Sequence, residues 1–236
     1  MEESNQSERA DFRSASELRA VACERSLLTQ AHGSVRWSQG QSTVMVAVFG
    51  PVGTSDTHAA QKGIVEVLFK GRQSAGHRER DLEFKLQESM RSSILLNLIP
   101  RTVIRIVIQV LQDDGSLLAC AFNACCAALV DAGVPLKNMW VSVACVIASG
   151  GEILVDPDES EERNSEAIVC ATFPSIRQQH DSGWTTSIDS DPMFCDSCGH
   201  LEMDTFFQMV EICRRGGSHV ADFNMVSLGK RLELTE

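Results

Sequence analysis

Gln112-Asp-Asp-Gly-Ser-Leu-Leu-Ala-Cys-Ala-Phe-Asn-Ala-Cys-Cys-Ala-Ala-Leu-Val-Asp-Ala-Gly-Val-Pro135 joins a strand to a helix through an acidic glycine turn. The run before it, Val103–Leu111, is long and β-branched, which predicts a buried central strand. The turn opens a helix over Ser116–Ala132, ended by Gly133 and closed by Pro135. Ala and Cys dominate that helix, so it is expected to pack closely against a sheet or a partner helix. A helix N-terminus beside a strand end is a natural anion site, because free N–H groups and the positive dipole end converge there. The first turn here is Ser116-Leu117-Leu118, with no Arg or Lys to hold a phosphate.

Working outward, the N-terminal side reads as strands at Leu18–Leu28, Ser34–Ser38, Thr43–Phe49 and Ile64–Phe69, with Gln39-Gly-Gln-Ser as a turn. Met1–Ser16 reads as a loose tail and residues 17–236 as one domain. Gly71–Gly76 is a polar loop. After it Leu82, Leu86, Met90, Ile94 and Leu98 recur every fourth residue, predicting an amphipathic helix over Glu79–Ile99, stopped by Pro100. On the C-terminal side, Trp140–Ala148 and Ile153–Val155 form a hairpin around Ser149-Gly150-Gly151, and Ala167–Phe173 is a strand. The Ser/Asp-rich stretch 177–199 reads as a loop, followed by a helix over Leu201–Arg214 ended at Gly216-Gly217. This order implies an α+β (mixed α/β) fold with helices packed on a mixed sheet.

Composition narrows the function classes. A hydrophobic content of 43% with 22% charged residues is that of a globular chain. No apolar run reaches the length of a membrane span, and the N-terminus is polar, so neither a membrane anchor nor a secretory leader is expected. Nine cysteines, several within apolar patterns, point to free thiols in a reducing compartment. The net charge of −11 argues against a stand-alone nucleic-acid binder, but the charge is unevenly spread. Lys62 to Arg105 holds nine Lys/Arg and five Asp/Glu, whereas Glu152 to Glu211 holds fourteen acids and two arginines. One part suits phosphates and another repels them. Cys195-Asp-Ser-Cys198-Gly-His200 carries one CxxC pair, too little for a closed zinc site, so no metal is assigned.

Two segments carry a resemblance. Asp114-Gly115-Ser116-Leu117-Leu118, opening its Ala-rich helix, and Gly33-Ser-Val-Arg-Trp-Ser-Gln-Gly-Gln-Ser-Thr-Val-Met-Val-Ala-Val-Phe-Gly-Pro51 both resemble the ribonuclease PH family. The resemblance spans roughly Leu18 to Phe173 and implies the ribosomal-protein-S5-like βαβα arrangement of that fold. Its members carry a D-G-G-T-R-type turn, and the arginine position falls on Leu118. That departure is similar to the eukaryotic RNA-exosome ring subunits of the family. Their resemblance implies 3′→5′ RNA degradation and ribosomal RNA processing within a hexameric ring, in the nucleus, nucleolus and cytoplasm. The implied partners are other ribonuclease PH-like subunits or a second copy, with RNA, or DNA, as the bound polymer.

The same resemblance nominates site residues. His77, Arg78 and Arg80 fall where the family contacts RNA backbone and phosphate; the plainer reading is a solvated helix start with Arg80 paired to Glu79 or Glu83. In the acidic segment Asp156–Glu166, Asp156 matches the leading aspartate and Glu162 the first catalytic carboxylate, and just beyond it Ile168 falls at the position of the second. Ser116 keeps a hydroxyl and N–H for an anion. Phosphorolysis brings two anions together and needs cations to neutralise them. With Leu118 and Ile168 in place, the expectation is a non-catalytic subunit that assembles and binds RNA. Inorganic phosphate is implied only for a chain that retains phosphorolysis, and magnesium only where the acidic loop seats it. The alternative is a homodimeric nuclease with residual phosphorolytic or metal-dependent hydrolytic activity through Glu162.

Overall fold

Helix α2 (Leu117–Asp131) lies between two sheets, touching β2 (Gly33–Gln39) and β3 (Ser42–Gly53) on one side and β6 (Met139–Ile147) and β8 (Ala167–His180) on the other. This position explains its composition. Twelve of its fifteen residues are buried, so small Ala and Cys side chains are what let two sheets approach it at once. Its one buried amide, Asn123, donates to the Ser142 carbonyl (2.9 Å) and accepts from the Ser142 N–H (2.8 Å), which satisfies the open side of β6. The computed structural model describes Arg9 and residues 11–54, 62–72, 76–180, 183–188 and 191–233, without the side chains of 177–180, 183–186 and 230–233.

The first sheet has the order β1 (Val21–Arg25), β2, β3, β5 (Thr102–Gln112), β4 (Ile64–Lys70). It is mixed: β4 and β5 are parallel and joined through α1 (His77–Ser93), and the other pairs are antiparallel. The second sheet is antiparallel, in the order β10 (Phe194–Gly199), β8, β6, β7 (Ile153–Val155), with β9 (Gly183–Ile188) also paired to β8. Trp140 and Ser142 of β6 face α2, whereas Val141 and Val143 face α4 (Met203–Glu233), so the second sheet is covered on both sides.

Four expectations are corrected. Helix α1 ends at Ser93, because Ile94 turns extended and bridges Leu136; a short 3-10 turn, Leu96–Leu98, fills the rest. The stretch 177–199 is largely strand. Its end of β8 pairs β9 from Ser175↔Ile188 to His180↔Gly183, and β10 pairs the start of β8. Ladder pairing to a long neighbour overrides the Ser/Asp composition there. Helix α4 runs through Gly216-Gly217. A Cβ on Gly217 would meet Ile188 Cδ1 at 3.0 Å and Val141 Cγ2 at 3.2 Å, so the glycine serves close helix–sheet packing instead of a helix stop. Within the expected tail, residues 1–8 and 10 lie outside the described residues, but Arg9 and 11–16 are tied to the body. Arg9 is buried, with a bidentate grip on Glu161 (2.8 and 2.6 Å) and donation to the Val155 carbonyl (3.0 Å). The segment around it therefore straps the acidic loop.

Candidate active site

Three arginines fasten the loop after β7. Arg9 and Arg13 donate to the Asp156 carbonyl, and Arg19 takes the Asp156 side chain. Arg19 Nη2 donates to Oδ1 at 2.7 Å and its own N–H to Oδ2 at 2.9 Å. The same guanidinium reaches the Asp114 carbonyl (2.6 Å), which locks the glycine turn to the loop. Gly115 has φ +78° and a Cβ there would lie 2.5 Å from the Pro157 carbonyl oxygen, so only glycine allows this contact. Asp156 is 0% exposed. Burial pushes its carboxyl up, but the Arg19 hydrogen bonds and charge outweigh that and hold it below the usual range. Asp156 is thus a buried structural ion-pair partner of Arg19, a setting that does not fit its nomination as a catalytic carboxylate.

Glu162 sits in the short helix α3 (Glu159–Arg163), whose start is fixed by a capping box between Asp158 and Glu161. That placement aims Glu162 at the head of α2, where its Oε1 accepts the Ser116 N–H at 2.6 Å. Burial raises its pKa above the ordinary carboxylate value, against the Ser116 hydrogen bond and the charges of Arg78 and Arg19. The Ser116 hydroxyl donates to the Pro157 carbonyl (3.0 Å), and the residue is 2% exposed. Both Ser116 donors are taken within the chain, so its assignment as a phosphate ligand is also corrected. The protein's own carboxylate occupies the anion position at this helix end.

A cavity of about 300 Å³ opens beside Glu162. It brings together Arg78 of α1, Ser116 and Leu118 at the start of α2, and Ile168 of β8. The segments nominated from sequence therefore converge in space, with apolar side chains at the two positions of interest. Arg78 also borders a larger cleft of about 480 Å³ that includes Arg72 and Arg163. His77 and Arg80 are exposed on α1 and line neither cavity. The acids expected to pair with Arg80 are instead engaged by strand β4 and the residue after it: Glu83 accepts the Phe69 N–H and Glu79 the Gly71 N–H.

Residues 17–135 match the family described as 3′ exoribonuclease family, domain 1 (RNase_PH). The chain belongs to this RNase PH family. It is 36% identical to the exosome complex exonuclease RRP46 homolog of Oryza sativa subsp. japonica, over 98% of each chain. It is 41% identical to the protein of that name from Arabidopsis thaliana, over 71% of each. The crystal structure of rice Rrp46 superposes with a TM-score of 0.83 at 33% identity, covering 93% of this chain and 100% of that one.

Within this RNase PH chain, two pocket residues escaped the sequence reading. Lys85 Nζ lies 2.7 Å from Asp81 and 2.9 Å from Asp196, on the same wall of α1 as Arg78 and Leu82. The spacing 78, 82, 85 follows one helix face, so Lys85 was legible. Asp196 was not, because it fell in the stretch read as loop. Burial pulls the Lys85 ammonium down, but its two carboxylates outweigh this and keep it charged. The nearby carboxylates already have partners. Glu162 is committed to the Ser116 N–H, Asp196 faces an ammonium, and among the described residues no three ligating side chains converge. Strand β10 sends Cys195 and Cys198 to opposite faces, so that CxxC pair does not chelate.

Proposed function

We propose that this RNase PH chain is a ring subunit of an RNA exosome that contributes assembly and RNA contact, and that it does not itself catalyse phosphorolysis. The carrying observation is the pocket beside α2. Leu118 stands where a cation would neutralise attacking phosphate, Ile168 where a second carboxylate would stand, and Glu162 fills the helix head. An inorganic phosphate would meet a carboxylate there, and two anions at one helix end repel. The exosome names of the rice and Arabidopsis relatives support the assembly.

In this reading the chain pairs with another ribonuclease PH-like subunit within a hexameric ring, or with a second copy, and supports 3′→5′ degradation and ribosomal RNA processing. Its sites of action are the nucleus, nucleolus and cytoplasm. Arg78, open to both cavities, is the residue that contacts RNA phosphate. The test is to incubate the purified chain with a 3′-tailed RNA and inorganic phosphate, and to measure nucleoside diphosphate release. None is expected. Robust phosphate-dependent release overturns the proposal. So does cleavage with magnesium or manganese in the absence of phosphate that disappears in Glu162→Gln, which would make the chain a hydrolytic nuclease. Arg78→Ala is expected to weaken RNA binding and flatten its salt dependence.

A further inference from the structure

Strand β4 is the last strand of the first sheet, so its outer edge carries N–H groups that no strand pairs among the described residues. Helix α1 covers them one at a time. The Val67 N–H donates to Gln87 Oε1 (3.4 Å), the Phe69 N–H to Glu83 Oε2 (3.2 Å) and the Gly71 N–H to Glu79 Oε1 (3.0 Å). At the other end the Gly63 N–H donates to the Leu96 carbonyl (3.0 Å). Four helical residues rise about 6 Å and two strand residues about 6.6 Å, so each turn of α1 meets one outward N–H.

The next pair in this series is Arg91 with Val65. Arginine is a donor only and cannot accept the Val65 N–H. By the alternation of its neighbours Val67 and Phe69 that N–H turns outward, toward α1, and Val65 is 2% exposed. An open cleft of about 460 Å³ lies at this point. Among the described residues its polar lining is Lys62, Gln87 and Arg91, with Ile64 and Leu96 as apolar walls, and no carboxylate. Arg91 has an exposed i,i+3 contact with Glu88 at 3.0 Å, a pair too solvated to hold it back.

We propose that this cleft receives a carboxylate from an extended acidic segment of a protein partner. The Val65 N–H, the Arg91 guanidinium and the Lys62 ammonium supply the donors, and Leu96 takes the apolar stem beside the acid. A gap in an otherwise covered edge, with positive charge beside it, is complementary to a strand bearing Asp or Glu. Among the described residues no aromatic side chain lines the cleft, so these residues give a nucleic-acid base nothing to stack on.

The full chain, labelled with nitrogen-15, is titrated with acetyl-Ser-Val-Glu-Val-Ser-amide, with its Gln twin, and with a short oligouridine. The Glu peptide is expected to move the Val65 amide signal saturably, and the Gln twin to bind about tenfold more weakly. Arg91→Glu is expected to abolish the response to the Glu peptide and create one to the Lys twin. Arg91 is exposed, so this variant leaves the core intact. Equal binding of the Glu and Gln peptides overturns the proposal, as does a Val65 signal that no peptide moves. A signal moved by oligouridine and not by the Glu peptide overturns it in favour of a nucleic-acid surface. None of these readouts depends on exosome assembly or on nuclease activity.

Discussion

A carboxylate buried against a backbone N–H is caught between lost hydration and a gained hydrogen bond, and Glu162 sits at that balance. Its folded pKa lies above the ordinary 4.5. A raised acid pKa means that its contribution is fully favourable below 4.5 and is lost as pH rises through the folded value. Glu162→Gln keeps an oxygen acceptor for the Ser116 N–H and removes the ionisation. Thermal melts are therefore expected to show the variant at least as stable as the parent at neutral pH, with the parent catching up as pH falls toward 4.5. A clear loss of Tm at neutral pH would show that the ionised form is the favoured one. Asp156 has the opposite sign. Its folded pKa is depressed below 3.8 by Arg19, so its stabilisation is present above 3.8 and vanishes as pH falls through the depressed value. Arg19→Ala leaves that buried carboxylate unpaired and should cost about 3–5 kcal/mol in urea unfolding at neutral pH. The cost should shrink in acid, where the unpaired carboxylate takes up a proton. A cost that stays constant from neutral to acid pH would mean that Arg19 acts through packing alone.

At the scale of elements, the two glycines inside α4 separate helix propensity from packing. A Cβ on Gly216 would meet Val143 and Val155 methyls at 3.5 Å, an ordinary contact. Gly216→Ala should therefore stabilise by about 0.5–1 kcal/mol, the usual gain for alanine over glycine in a helix. Gly217 is already tight against Ile188 and Val141, and Gly217→Val should destabilise by about 1–3 kcal/mol through overpacking. Calorimetric melts of the two variants check this, and equal shifts would mean that α4 slides on its sheet. These glycines also show where sequence reading stops. Gly216-Gly217 looks like a helix end, because a glycine's packing role is visible only once its neighbour across the sheet is known. The strands β2 to β6 and helix α2 were legible, since apolar runs and the Asp114-Gly115 turn carry their own local signal. The ends of β8, with β9 and β10, were not, because their pairing to one long strand lies outside any local window. The candidate site divides the same way. Arg78, Leu118, Glu162 and Ile168 were named from motif position and do line one pocket. Asp156 and Ser116 were named from the same motifs, but their burial and internal partners depend on Arg19 and Pro157, far away in sequence.

At the scale of the whole molecule, α2 couples the two sheets, and its coupling can be measured. One continuous buried cluster contains Val46 and Ile106 from the first sheet, Phe122 from α2, Trp140 and Val169 from the second sheet, and Met209 from α4. Neither sheet can bury its inner face without α2, so neither has a complete core by itself. Phe122 stands at the junction: its carbonyl accepts from Trp140 Nε1 at 3.0 Å, and its ring lies 4.9 Å from that of Phe194. Cutting it to alanine leaves a cavity against Phe194 in the buried core, which should cost about 3–5 kcal/mol. Because the lost contacts support a helix shared by both sheets, that cost should not stay in one half. Calorimetry of the parent is expected to give a single transition whose calorimetric and van't Hoff enthalpies agree. In Phe122→Ala, hydrogen exchange at the slowest amides of β5 and of β6 should accelerate by the same factor, since both open only in global unfolding. Two transitions, or faster exchange in β6 with β5 unchanged, would mean that the sheets unfold separately and that α2 belongs to only one of them.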